Sequence, residues 1–401
     1  MAQEKANILI VYNYNRHDFL TYFEACKNDF NFFFAEFVSP QEETNQHYLS
    51  YGKAVYWGDY RDVFDLLDKV KPTKVLFHYI ASKFHILLNT ACKIAGIRSY
   101  IIDHGIRDIN INVRLQQYLT PAHKDSSLRR NMKKLIQFLP RAKARLFLIK
   151  SIKKLQKQCN SSISAKALQV SSFMYKNPTA YIAISKKTFE YHQFANNISE
   201  ETTVDFIGIP TFDYLHGLKY KSTDQKRNMI FIDQGLATVG IYGWNEENYK
   251  DFQYRFISIC QKYGYKLYIK PHPRQPTDTW QYWNHKGIAQ IISDSELQHI
   301  LPNTQLIIGF TSTYLLPLAS LPFTTVLTLE NHPAGRLLVS KSFVDYGVAY
   351  PVYHLDELHH VLPKIDQLHQ EQLPNKKKFE EDWLYKFDGK AGQRLRSVLL
   401  N

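Results

Sequence analysis

Lys270, His272 and Arg274 alternate within Tyr268-Ile-Lys-Pro-His-Pro-Arg274, and Thr311-Ser-Thr313 follows downstream. An ammonium, an imidazole and a guanidinium so close together are phosphate-binding groups. The β-branched and aromatic run at 266–269 predicts a buried strand, which Pro271 and Pro273 stop and turn outward. In an α/β protein that exit lies at the carboxyl rim of a parallel sheet, where ligands bind. An imidazole there can donate to a phosphate that gains charge as its ester bond breaks, or protonate it as it departs. A lone histidine beside prolines is otherwise often structural; the two flanking cations tip this one toward an anion. The hydroxyls of Thr311, Ser312 and Thr313 follow the apolar run 306–309 at a strand-to-helix turn, a place where hydroxyls and amides face phosphate. A plain helix cap by Thr311 or Ser312 is the competing role for the same residues.

Other strand ends carry further candidates. In Ile101-Ile-Asp-His-Gly-Ile106, Gly105 permits a tight turn that projects Asp103 or His104 outward as a general base, unless the aspartate merely caps the next helix. Phe231-Ile-Asp-Gln-Gly-Leu236 repeats that arrangement, offering Asp233, Gln234 and Gly235 as a wall beside the phosphate, or simply a turn. Glu330-Asn-His332 ends a later strand and is placed to touch a ribose or sugar. Asn13-Tyr-Asn-Arg16, after the first strand, and Arg107 are assigned to the opposing, acceptor side.

These residues need a scaffold. A chain of 401 residues predicts two domains. Strands are expected at 8–11, 32–34, 74–78, 99–102, 180–184 and 204–207, with helical stretches such as 60–70 and 85–95 between them. A second series runs 229–232, 266–269, 288–293, 306–308, 324–328 and 349–352, with a helix at about 245–263. Strict alternation means parallel sheets with helices on both faces. The fold class is therefore α/β: two Rossmann-like doubly wound domains facing a central cleft. The first spans 1–220, with a basic insertion at about 115–165, and is expected to bind acceptor if the chain is a transferase of the kind its motifs resemble. The second spans 221–401 and on the same condition binds donor, and a last helix at 377–400 crosses back.

Composition narrows the rest. Hydrophobic residues make up 44% of the chain, yet no run approaches the roughly 18 apolar residues that span a bilayer. The N-terminus enters Ala6-Asn-Ile-Leu-Ile-Val-Tyr12 without the pattern of a secretory leader, so secretion is not expected. Cys26, Cys92, Cys159 and Cys260 lack metal-ligand spacing and suit a reducing compartment. Much of the net charge of +13 gathers at 128–155, where cations alternate with Leu, Ile and Phe around Pro140. That pattern fits a pair of basic amphipathic helices on an anionic membrane, attraction of an acidic acceptor, or a solvated surface helix.

Lys270-Pro-His-Pro-Arg274 with Thr311-Ser-Thr313 some 40 residues later resembles the His-Pro and Ser/Thr motifs of bacterial GT-B sialyltransferases of the lipooligosaccharide sialyltransferase and polysialyltransferase type. Those families carry an acid-acid-Gly motif whose acid is the general base; Asp103-His104-Gly105 is similar, with histidine in place of the middle acid. Phe206-Ile-Gly-Ile-Pro-Thr-Phe-Asp213 resembles an element of capsule and teichoic-acid transferases, and Gln275-Pro276 resembles a motif of Kdo transferases. The resemblance implies a GT-B, inverting transferase that moves sialic acid or a related nonulosonate from its CMP conjugate to a hydroxyl of a glycan or glycolipid. Asp103, with His104 as alternative, would be the base. His272, Lys270, Pro273, Arg274 and the three hydroxyls would hold the CMP phosphate without a metal or other cofactor. It also implies a cytoplasmic enzyme, peripheral at the inner face of the bacterial inner membrane, with no nucleic-acid partner. The alternatives are a CMP-Kdo transferase, a CDP-polyol phosphotransferase, and a non-enzymatic basic protein that binds membrane or nucleic acid.

Overall fold

The computed structural model describes residues 5–11, 17–43, 46–108, 138–159, 176–196, 198–199, 201–221, 227–273 and 275–401. The chain divides into two compact units. The first comprises Met1–His104, His123–Thr211 and Lys390–Asn401; the second comprises Gly105–Ala122 and Phe212–Gly389.

The first unit is built on seven parallel strands. They are β1 (Asn7–Val11), β2 (Asn31–Phe34), β3 (Gly52–Ala54), β4 (Lys74–Phe77), β5 (Arg98–Ile102), β6 (Ala180–Ala183) and β7 (Val204–Phe206). Their order is β3-β2-β1-β4-β5-β6-β7. Ile8, Leu9, Ile10 and Val11 are fully buried, which is why this central strand reads as an unbroken apolar run rather than an alternation. Only β3 escapes the sequence pattern. Gly52-Lys-Ala lies at the sheet edge, and a Cβ on Gly52 would come within 2.2 Å of the Phe32 carbonyl oxygen, so glycine is required by close backbone approach.

The helices start where local chemistry dictates. Asp62 caps Val63–Val70 by accepting from the amides of Phe64 and Asp65, and Ser82 caps Lys83–Ile94 through the amide of His85. Of the basic segment, Phe138–Cys159 is helical. Residues 128–137 lie outside the described ones. Phe147, Ser151 and Leu155 repeat every four residues and are buried; Phe147 meets Trp57, and Ser151 Oγ accepts from the Val63 amide at 3.0 Å. The opposite face exposes Lys150, Lys153 and Lys157 beside Leu146 and Ile149.

The second unit repeats the plan with β8 (Asn228–Ile232), β9 (Lys266–Lys270), β10 (Ala289–Ile291), β11 (Leu306–Gly309), β12 (Thr325–Leu329) and β15 (Tyr350–Val352), ordered β10-β9-β8-β11-β12-β15, all parallel. A small antiparallel ribbon, β13 (Asn331–His332) and β14 (Gly335–Arg336), follows β12. Ile232 is level with both Lys270 and Gly309, so the loops leaving β8, β9 and β11 emerge side by side. An aromatic core of Phe231, Phe252, Phe256, Trp280 and Phe310 lies under them. The expected helix at 377–400 is two helices, Lys376–Trp383 and Ala391–Leu400. Tyr385 and Gly389 take left-handed backbone between them, at φ 66° and 71°. The second helix groups with the first unit, where Arg396 grips Asp29 through two bonds of 2.8 Å and Lys74 donates to the Leu399 carbonyl.

Among the described residues no helix is long and apolar enough to cross a membrane. Gly309 tests the alignment of the loops. A Cβ there would meet the Ile232 carbonyl oxygen at 2.8 Å and the Ile232 Cβ at 3.0 Å. Gly309→Ala is expected to wedge β8 from β11 and cost about 1–3 kcal/mol in urea unfolding, in line with overpacking elsewhere.

Candidate functional site

In the second unit, the loop after β9 carries His272 against Gly235, whose hydrogen-only face lies 3.5 Å from the His272 Cβ when a Cβ is built on it. Gly235 has φ 65°, a left-handed conformation that β-carbons disfavour. The His272 amide donates to Gln275 Oε1 at 3.1 Å, and the Gln275 amide returns a bond to the His272 carbonyl at 2.9 Å. Gln275 is in turn held by Asp233: its Nε2 donates to Asp233 Oδ2 at 2.5 Å.

Asp233 therefore plays a different part from the one its sequence position suggests. It is buried, and its Oδ2 also accepts from the Tyr249 hydroxyl at 2.5 Å and the Trp280 indole at 2.7 Å, while Oδ1 accepts from the Gly235 amide at 3.0 Å. Four donors replace its hydration. The carboxylate ties the Gly235 turn to the His272 loop. Burial and the adjacent carboxylate push the Tyr249 hydroxyl far above its usual titration range, so it remains a donor.

Glu330 is a parallel correction. It has no exposed surface, and its carboxylate accepts from the Val339 amide at 2.6 Å and the Ser340 amide at 3.3 Å. Ser340 Oγ then bonds Thr311 Oγ1 at 2.5 Å. Burial raises the Glu330 pKa above the ordinary glutamate value, against the pull of these donors. Lys270 is also drawn aside: its ammonium pairs with Asp294 at 3.1 Å and sits 5.0 Å from the Tyr314 ring centroid.

The hydroxyl cluster is shared between roles. Thr311 is held by Ser340, and Thr313 Oγ1 accepts from the Ile106 amide at 3.0 Å. Ser312 is buried, and its Oγ accepts from the Tyr314 amide at 3.3 Å. The following helix, Leu315–Ser320, has Tyr314 at its cap without a side-chain bond, so neither Thr311 nor Ser312 caps it. Pro273 is exposed and Arg107 partly so. Arg274, Asn13, Asn15 and Arg16 lie outside the described residues.

In the first unit, Asp103 leaves β5 pointing inward. It is 1% exposed; Oδ1 lies 2.6 Å from His192 Nε2 on the helix Lys186–Asn196, and Oδ2 accepts from the Ile184 amide at 3.3 Å. The carboxylate is thus enclosed by these partners rather than open to solvent. His104, the next residue, is the more accessible one: its side chain retains 17% exposure and Nε2 lies 3.6 Å from Asp18 Oδ2. Phe19 packs edge-on to its ring at 3.7 Å, with His78 and Tyr22 nearby. Asp18 and His192 were missed from sequence because each sits inside a helix far along the chain, with no motif around it. Among the described residues no group of three His, Cys, Asp or Glu side chains could hold a metal ion.

A family model described as Alpha-2,8-polysialyltransferase (POLYST) matches residues 3–330. Among solved structures, the wall teichoic acid polymerase TagF is similar at TM-score 0.52 and 10% identity, over 99% of this chain and 88% of that chain. CalG4, the calicheamicin glycosyltransferase, gives 0.54 at 8% identity over 99% and 98%. The Methanocaldococcus jannaschii UDP-GlcNAc 2-epimerase gives 0.50 at 13% identity over 99% of each chain. No curated protein sequence matches. At such identities the structural likeness speaks for the fold alone, two parallel Rossmann-like sheets of the GT-B type.

Two outcomes follow from the buried carboxylates. Asp233→Ala leaves Tyr249, Trp280 and Gln275 donors without an acceptor, and should cost about 3 kcal/mol in urea unfolding, with faster amide exchange in the His272 loop. For Glu330, a folded-state pKa above the ordinary 4.5 gives stability that is fully present below that value and lost as pH rises through the folded pKa. The unfolding free energy of wild type relative to Glu330→Gln should therefore decline as pH is raised from about 4.5; a flat difference would contradict the assigned environment.

Proposed function

The chain belongs to the alpha-2,8-polysialyltransferase family, and from that premise we propose that it transfers a sialyl residue from CMP to a hydroxyl of a bacterial surface glycan. It is a glycosyltransferase of the sialyltransferase type, using a nucleotide-sugar donor and a glycan acceptor. The half containing His272 is assigned to the donor and the half containing His104 to the acceptor, with Asn13, Asn15 and Arg16; Arg107, also assigned to acceptor binding, belongs to the second unit. The observation that carries the donor assignment is the Asp233–Gln275–His272 relay beside the hydroxyl cluster.

In the proposed reaction the acceptor hydroxyl forms a bond to the anomeric carbon while the bond from that carbon to the CMP phosphate oxygen breaks. His104 takes the acceptor proton on its imidazole, whose Nε2 lies 3.6 Å from Asp18 Oδ2. The Asp18 carboxylate orients the ring and stabilises the imidazolium that forms. His272 donates to the departing phosphate, helped by Thr311, Ser312 and Thr313, and by Arg274. Asp103 and Asp233 act as positioning residues. A single departing phosphate met by imidazole and guanidinium needs no metal to neutralise it.

The Phe138–Cys159 helix is assigned to an anionic membrane surface. Supporting this, its outward face mixes Lys150, Lys153 and Lys157 with exposed Leu146 and Ile149, so cations and apolar side chains can reach headgroups and acyl chains together. A cytoplasmic location at the inner face of the membrane follows from that assignment.

Incubation with CMP-sialic acid, CMP-Kdo and CDP-polyols, with nucleotide release measured, tests the donor. Release from CMP-sialic acid in chelator at the same rate as with magnesium is expected; turnover confined to CMP-Kdo or a CDP-polyol would replace the sialyl reading. His272→Ala should lower kcat on the order of 100-fold. His104→Gln should lower kcat by about 100-fold or more and remove the alkaline-rising limb of the pH–rate profile. Asp103→Asn should chiefly lower the unfolding midpoint. A base role for Asp103 would be restored if His104→Gln left that limb in place.

A further inference from the structure

The second unit contains a cavity of about 230 Å³ at the carboxyl ends of β8, β11 and β12. Gln234 and Leu236 follow β8, Phe310 and Thr311 follow β11, and His332 follows β12. β8 and β11 are the neighbouring strands at which the winding of the sheet reverses, the crevice where doubly wound proteins bind ligands. What singles this cavity out is a pair of unmatched polar atoms. Among the described residues, His332 Nε2 and Gln234 Oε1 are both buried without a hydrogen-bond partner. Leaving such a group unpaired costs about 1–3 kcal/mol, so two on one wall call for a ligand or a role.

Their chemistry is complementary and fixed. The Trp244 indole, which can only donate, lies 3.0 Å from His332 Nδ1, so Nδ1 accepts and the proton of the neutral ring sits on Nε2. The ring is 6% exposed and packed by Tyr242 and Phe310, with centroids at 4.8 and 5.8 Å. Burial lowers its pKa to about 4, which keeps it neutral at physiological pH. Nε2 is thus an uncharged donor, and Gln234 Oε1 is an acceptor. The rest of the wall is largely apolar, including Leu236, Phe310 and Val339. Tyr242 is held at φ 55°, a strained position for a residue with a β-carbon, and its carbonyl accepts from the Ala334 amide at 2.9 Å, beside the ribbon that carries His332.

We propose that this cavity binds the amide-like edge of the donor substrate, with His332 Nε2–H donating to an acceptor atom and Gln234 Oε1 accepting from the adjacent N–H. The inference rests on the donor assignment made above for this unit and goes beyond it by naming the group recognised. Within a CMP-sialyl donor two parts present an acceptor atom beside an N–H. One is the cytosine edge, where ring N3 lies beside the 4-amino group and the flat base would lie against the aromatic rings. The other is the N-acyl group of the sugar, whose methyl would enter the apolar wall. Uracil presents N3–H and O4 in the reverse order on that edge, donor against His332 and acceptor against Gln234, and a sugar with a hydroxyl in place of the acylamide lacks the carbonyl to which His332 would donate.

The full-length protein, as wild type, His332→Phe and Gln234→Leu, provides the test. Dissociation constants for CMP and UMP are measured by calorimetry, alongside KM for CMP-linked sialic acid with an acylamido group and for its 5-hydroxy counterpart. Gln234 is partly exposed, so its substitution guards against loss of fold in the histidine variant. If the cavity holds cytosine, both variants weaken CMP about tenfold and Gln234→Leu erases the preference over UMP. If it holds the acylamide, CMP affinity stays unchanged while the KM preference for the acylamido donor falls about tenfold in both. CMP affinity and donor preference that both stay within twofold of wild type in folded variants would overturn the proposal. The donor reading fails separately: it is lost if wild type releases no CMP from CMP-sialic acid, whereas histidine- and glutamine-dependent binding of CMP over UMP would leave the cavity proposal standing.

Discussion

A carboxylate removed from water stays charged only where donors replace its hydration, and Asp233 gathers four of them from separate stretches of chain. The Gly235 amide comes from the loop after β8, Tyr249 from the helix Glu246–Lys262, and Gln275 and Trp280 from the segment after β9. None of those stretches has a reason of its own to hold one shape. Pinned to a single pair of oxygens, they set the His272 loop at a fixed height over the sheet. Glu330 does the same on the other side, through Ser340 to Thr311. The His272 loop and the Thr311 turn are thus each steadied by a buried acid of their own.

The sheet makes this economical. Because Ile232 is level with Lys270 and with Gly309, three loops leave the same edge, those of β9 and β11 each one strand spacing, about 5 Å, from that of β8. The close approach at Gly309 brings β11 to β8 without a side chain between them. Loops thus placed need only short tethers, and the tethers present are side chains such as Gln275 and Ser340 rather than long insertions. The aromatic floor of Phe231, Trp280 and Phe310 supplies a rigid, dry base on which charge-bearing bonds are strong.

Much of the scaffold was legible because parallel strands buried on both faces leave continuous apolar runs, as at Ile8–Val11 and Leu306–Gly309. The edge strand Gly52–Ala54 was not, since glycine, lysine and alanine carry no such signal. The break between Trp383 and Ala391 was hidden because the residues around it keep helical periodicity, and only Tyr385 and Gly389 betray it through backbone conformation. Candidate positions at strand ends were likewise readable from sequence, but their orientation was not. Whether an acid at a strand exit faces a ligand or the protein depends on donors distant in sequence: Tyr249, Trp280 and Gln275 for Asp233, Val339 and Ser340 for Glu330, His192 for Asp103. No spacing rule links those residues.

The contrast between Asp103 and His104 follows from strand geometry carried one residue past its end. Successive side chains on a strand point to opposite sides, and the backbone of Asp103 still bonds the Ile182 carbonyl as the ladder would require. Asp103 is therefore directed into the protein, where His192 and the Ile184 amide satisfy it. His104 is directed the other way, toward Asp18 and the aromatic ring of Phe19. Where the resembling families place two acids before the glycine, this chain places an acid and an imidazole. An inward acid can be satisfied by amides and a histidine, but a second acid beside Asp18 would repel it, because two carboxylates at such range cannot both ionise cheaply. A histidine at that position is attracted to the same carboxylate and takes its orientation from it. An imidazole in place of the middle acid is thus compatible with Asp18 where a second carboxylate would not be.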